Sequence, residues 1–132
     1  MKIIDTVVLI GYIDPFDIRN EKATEYVGQL QENELMVASA SLMELDLELK
    51  THSVSNKDRT IIFNALSKVI PSEKILSLNP EIFAKTGRLA DKAKWRGAYF
   101  DTLIAATAFF YDIREIITTD RKFEKFGLKY SF

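Results

Sequence analysis

Four acidic residues far apart in the chain, Asp5, Glu44, Asp101 and Asp120, are its candidates for chemistry. Asp5 lies between Ile3-Ile4 and Val7-Val8, where a lone carboxylate would lose hydration and gain nothing in return. Asp120 poses the same problem after Ile116-Ile117, and Asp101 stands before Thr102 to Tyr111, a stretch that is apolar almost all round. Glu44 falls in the first turns of an amphipathic segment. Carboxylates gathered in one place raise one another's pKa unless a cation neutralises them. A site of carboxylate oxygens favours magnesium or manganese, and such an ion can activate a water and offset charge on an attacked phosphorus.

Other chemistries find less support. The chain has no cysteine, which removes disulfides, thiolate metal sites and a cysteine nucleophile together. A single histidine, His52, cannot build a multi-histidine zinc site and reads as a surface residue. A phosphoacceptor domain would need an aspartate on the third strand, which reads Lys74-Ile-Leu-Ser-Leu78, and a haloacid-type phosphatase would need Asp-x-Asp where position 7 is valine. Each acid also has a structural reading. Ser41 and Glu44 spell a capping box, Asp101 could cap a helix, and Asp120 could close a turn.

The elements that must position these acids alternate along the chain. Ile3-Ile4 with Val7 to Ile10, broken by Asp5-Thr6, reads as a buried strand ending near Asp5, and Asp14-Pro15 as a turn. A helix is expected over about 18–33, a strand over 35–38, helices over 41–50 and about 58–69, and a third strand over 74–78. Asn79-Pro80-Glu81 is a helix start, with Asn to cap and Pro at the first helical position. A buried helix over 102–111, a fourth strand over 116–119 ending at Asp120, a helical turn over 123–126 and an edge strand over 128–132 complete the reading. Strands separated by helices imply an α/β fold with a mainly parallel sheet, whose ligands bind beyond the strands' carboxyl ends.

At 132 residues the chain has the size of one domain, 1–132. Net charge is −1, but it is segregated: residues 1–84 hold 8 Lys/Arg against 13 Asp/Glu, and residues 85–132 hold 10 against 6. Lys85, Arg88, Lys92 and Arg96 form a basic stripe, and Arg121 and Lys122 sit beside Asp120. Lys92, Arg96, Arg121 and Lys122 are the candidate contacts for an anionic substrate, although a stripe of this kind also serves as a solvated helix face. No secretory signal pattern opens the chain and no apolar run reaches membrane-spanning length, so a cytoplasmic location and no membrane partner are expected.

The segments "IIDTVVLIGYI", "SLMELDLEL", "FDTLIAATA" and "ITTDRKFEKFGL" follow in the order and spacing of the PIN-domain family. The whole chain resembles a VapC-type PIN toxin. That resemblance implies a three-layer α/β/α sandwich with four to five strands in the order 3-2-1-4-5. It implies that Asp5, Glu44, Asp101 and Asp120 bind a catalytic Mg2+ or Mn2+, with Thr6 and Thr119 supporting them. It further implies endoribonuclease action on RNA, a homodimer and an antitoxin partner. The alternative is a PIN-like module that binds RNA or assembles without cutting.

Overall fold

A computed structural model describes residues 1–32, 34–93 and 99–132, with only the backbone of Ala93. Five strands, β1 (Lys2–Ile4), β2 (Leu35–Ala38), β3 (Ile75–Leu76), β4 (Glu115–Ile117) and β5 (Lys129–Ser131), form one sheet in the order β3-β2-β1-β4-β5. Every pairing is parallel, and Ile4 stands level with Val37 on one side and Ile117 on the other. The expected order and sheet are therefore those observed.

Helices α1 (Thr6–Ile13), α2 (Asn20–Gly28), α3 (Ser39–Thr51), α4 (Asn56–Val69), α5 (Pro80–Ala93) and α6 (Tyr99–Phe110) cover the sheet. Alternation along the strands sorts the core into two layers. Ile3 and Ile116 face α5, α6 and the 3₁₀ turn Arg121–Phe126, whereas Ile4, Val37 and Ile117 face α1, α2 and α4. Strands covered on both faces carry apolar residues on both, which is why Ile3-Ile4, Leu35 to Ala38 and Ile116-Ile117 read as short continuous runs rather than alternating ones.

Two boundaries differ from the sequence reading in ways that matter. The run Val7 to Ile10 is not strand: the chain enters α1 directly after Asp5, which caps that helix by accepting a hydrogen bond from the Thr6 amide at 2.7 Å. α1 lies so close to α2 that a Cβ on Gly11 would stand 3.2 Å from Ala23 Cβ. The helix expected over 18–33 is shorter, Asn20–Gly28.

Candidate active site

The site forms at the carboxyl edge of the three central strands. β1 ends at Ile4, so Asp5 emerges in the middle of the sheet, buried with 5% of its surface exposed. Its amide donates to the Ile117 carbonyl at 3.0 Å, extending the β1–β4 ladder by one bond and fixing the backbone. Its side chain is held at both oxygens. Thr6 N donates to Oδ1, and the Thr118 hydroxyl donates to Oδ2 at 2.7 Å. Thr118 in turn accepts from the Asp120 amide at 3.0 Å, so the end of β4 is tied to the end of β1 through one buried hydroxyl.

Glu44 reaches this edge from α3. The helix begins at Ser39 after Ala38, with no side-chain cap, so Ser41 and Glu44 are not a capping box; Glu44 lies in the second turn, half-buried. Asp101 lies inside the first turn of α6 rather than capping it. Asp5, Glu44 and Asp101 each offer one carboxylate oxygen within 4.8 Å of the others.

Asp120 stands beside this trio rather than within it. Its Oδ1 accepts from the Lys122 amide at 2.9 Å and caps the 3₁₀ turn, so the turn reading of this residue describes part of its role. Its charge nonetheless reaches both Asp5 and Asp101.

Burial and like charge act together on the trio. Burial pushes the Asp5 carboxyl from 3.8 up to about 6, against the lowering effect of the Thr118 and Thr6 bonds, and the Glu44 and Asp120 charges add to the rise. Burial also raises Asp101 to about 7, helped by Asp5, Glu44 and Asp120 and opposed by Lys122. Glu44 is raised by burial, with the Thr6 hydroxyl opposing. That hydroxyl approaches Glu44 closely enough to act on it, yet it is buried and, among the described residues, has no partner of hydrogen-bonding geometry.

A divalent ion suits these groups. One oxygen from each of the three carboxylates lies within 4.8 Å of the others, close enough for a single ion of this kind to be shared by all three. The donors are hard oxygens alone, and His52, at the end of α3, is exposed and turned to the Glu48 carbonyl.

The remaining expectations separate. Thr6 is buried at the site. Thr119 is exposed, and the hydroxyl that reaches Asp5 belongs to Thr118, one residue earlier. Both Ile116 and Ile117 are buried, so side-chain alternation gave no means of choosing between the two threonines. Arg121 and Lys122 are exposed on the turn that Asp120 caps, and the Lys122 charge reaches Asp101. Lys92 is exposed near Gly127, at the opposite end of the 3₁₀ turn from Asp120, and Arg96 lies outside the described residues.

Comparison with known proteins identifies the fold. The family model described as PIN domain matches residues 2–129. No curated protein matches significantly. Among solved structures, FitAcB from Neisseria gonorrhoeae is 19% identical with a TM-score of 0.77, covering 100% of this chain and 97% of that one. VapBC2 from Rickettsia felis, bound to a DNA fragment from its promoter, is 15% identical with a TM-score of 0.73, covering 98% and 96%. A toxin-antitoxin complex from Klebsiella pneumoniae is 18% identical with a TM-score of 0.60, covering 93% and 90%. At these identities the likeness is one of fold.

Proposed function

We propose, since this chain belongs to the PIN domain family, that it is a metal-dependent endoribonuclease and the toxin of a toxin-antitoxin pair. The observation that carries the reading is the convergence of Asp5, Glu44 and Asp101, from the end of β1, from α3 and from α6, each with one carboxylate oxygen within 4.8 Å of the others. Asp5, Glu44 and Asp101 would hold Mg2+ or Mn2+, with Asp120 close enough to take part through water. When bound, the ion supplies Lewis acidity and lowers the pKa of a water at the phosphodiester.

The protein's own groups do the positioning. Thr118 and the Thr6 amide lock the Asp5 carboxylate in one orientation, and the Asp120 amide locks Thr118. Glu44 and Asp101 are half-buried and open to the edge where a phosphate would arrive. Arg121 and Lys122 lie on the adjacent turn, where cations would attract the substrate backbone towards an otherwise repellent acidic site.

Two further features of the proposal concern partners. Met43 and Leu47, one turn apart on α3, are 48% and 52% exposed, an apolar stripe suited to a second copy of this chain. The likeness to a toxin-antitoxin complex supports a protein partner that holds the nuclease in check. No helix among the described residues is long and apolar enough to cross a membrane, in keeping with action on RNA in the cytoplasm.

The decisive test incubates the protein with RNA and Mn2+ or Mg2+, with EDTA and Asp5→Asn as controls, and sequences the cleaved ends. Cleavage that requires both the metal and Asp5 is expected, together with growth arrest on expression of the wild type alone. RNA binding without any cleavage would replace the enzyme with a non-catalytic module.

A further inference from the structure

A second basic surface lies away from the carboxylates, where α5 packs on the end of α6. Lys85, Arg88 and Lys92 recur at i, i+3 and i+7, so all three line one side of α5. Lys85 and Arg88, with Leu89 and Phe109, border a shallow hollow of about 130 Å3. The Arg114 guanidinium sits 4.8 Å from the centre of the Phe109 ring. Lys92 Nζ lies 3.6 Å from where a Cβ on Gly127 would stand, and Phe109 Cζ lies 3.7 Å from the same point. Four cations thus gather on the side of the molecule where Phe109 emerges from another helix, with Arg114 on its ring.

Their charge is poorly compensated within the chain. Arg114 pairs with the exposed Asp112 at 3.1 Å, whereas among the described residues Lys85, Arg88 and Lys92 join no ion pair, Asp91 included. A solvated helix face accounts for cations that point apart into water. Here three of them share one side of α5 and lie with Arg114 about Phe109, which makes this surface continuously basic across α5, the end of α6 and the turn that follows it.

Such a cluster suits a ligand bearing several regularly spaced anions. Seven residues of helix separate Lys85 from Lys92 by roughly 10 Å, which spans about three phosphates of a stacked strand at about 3.4 Å per nucleotide. Phe109 follows Asp101 by eight residues on α6, placing the cluster roughly 12 Å along the helix from the carboxylates. That distance is too long for the phosphate being cut and suits one a few nucleotides away.

We propose that Lys85, Arg88, Lys92 and Arg114, grouped around Phe109, form a second contact that grips the phosphate backbone of the substrate RNA on one flank of the cleaved bond. The contact rests on the reading that RNA is cut at the Asp5, Glu44 and Asp101 edge. It makes the chain discriminate by substrate length and carries little base preference, because phosphate contacts position rather than specify.

The test measures binding in an Asp5→Asn background, so that no cleavage is needed. Fluorescein-labelled single-stranded RNAs of mixed sequence, about 20 and about 5 nucleotides long, are titrated by anisotropy over a range of salt. The variant Lys85→Ser/Arg88→Ser/Lys92→Ser is expected to bind the long RNA at least about tenfold more weakly and to lose roughly 2 from the slope of log affinity on log salt. The advantage of long over short RNA should shrink accordingly. Lys85→Arg/Lys92→Arg, which keeps the charge, should bind as the parent does, and matching thermal unfolding of the variants separates lost contact from lost fold. A long-RNA affinity and salt slope within twofold of the parent's would overturn the proposal. Should the parent chain bind in this manner yet never cut RNA with metal, the nuclease reading fails while the phosphate contact stands.

Discussion

Removing the charge of Asp5 should stabilise the metal-free protein while abolishing its activity. In the absence of an ion, the folded chain must bury a carboxylate that is 5% exposed and lies among other acids. Its pKa rises from 3.8 to about 6, and about two pH units correspond to roughly 3 kcal/mol. The sign follows from proton binding. Between about pH 4 and 6 the folded state keeps a proton that the unfolded state has released, so stability falls as pH rises through this window and stays lower above it. Asp101, raised to about 7, likewise holds its proton in the folded state from about pH 4 and extends the decline by about one further unit of pH.

Asparagine at position 5 removes the charge and keeps an acceptor for the Thr6 amide, but it presents an N–H to Thr118, whose hydroxyl then loses its acceptor. That loss costs about 1 kcal/mol, leaving a net gain of about 1–2 kcal/mol at pH 8. For a chain of this length the gain raises Tm by about 3–7 °C. At pH 4 the same substitution should give no gain. Calorimetry in EDTA at both pH values, followed by Mn2+ addition, reads the whole cycle. The ion should raise the Tm of the wild type at pH 8 and leave that of Asp5→Asn nearly unmoved. An Asp5→Asn protein less stable than wild type at pH 8 in EDTA would refute the claim that the acidic cluster is strained without a cation.

Three other outcomes follow from the same geometry. Glu44→Gln and Asp101→Asn should each weaken Mn2+ binding, followed by titration calorimetry, by more than the roughly tenfold that loss of an outer partner costs. Thr118→Val should destabilise by about 1–3 kcal/mol, because the Asp120 amide loses its acceptor, and should move half-maximal metal binding to higher pH as Asp5 loses a bond to its charged form; Thr118→Ser should recover most of both. Gly127 has φ +94, so Gly127→Ala should cost about 1–2 kcal/mol in denaturant melts despite ordinary contact distances around the added methyl.

Asp5, Asp101 and Asp120 stood out in the sequence because each adjoins an apolar run, whereas Glu44, on an amphipathic helix with a capping-box reading, was singled out only with the family resemblance; the strands were legible because runs such as Ile116-Ile117 are short, β-branched and bounded by polar residues. α1 was not legible. Val7-Val8-Leu9-Ile10 is apolar without a period, so length and pattern cannot separate a buried helix from a buried strand, and what decides is the Asp5 cap together with the close fit of Gly11 on α2. Misreading α1 would also misplace Thr6, whose position on the first turn of that helix brings its hydroxyl near Glu44. The choice between Thr118 and Thr119 escaped for the related reason that both faces of β4 are buried.

The acids also differ in what they are free to do. Asp5 is the most buried and has both oxygens committed, so it is a ligand already oriented before any ion arrives. Asp120 has spent one oxygen on the Lys122 amide, and its backbone serves Thr118. Glu44 and Asp101 belong to helices on different sides of that fixed point, and none of the hydrogen bonds described ties their carboxylates down. Preorganisation therefore resides in the β1–β4 junction, while closure on the ion depends on how α3 and α6 lie against each other. A substitution that loosens the packing of these two helices should accordingly weaken metal binding without touching a ligand, whereas one that loosens α4 should lower stability and leave metal affinity in place.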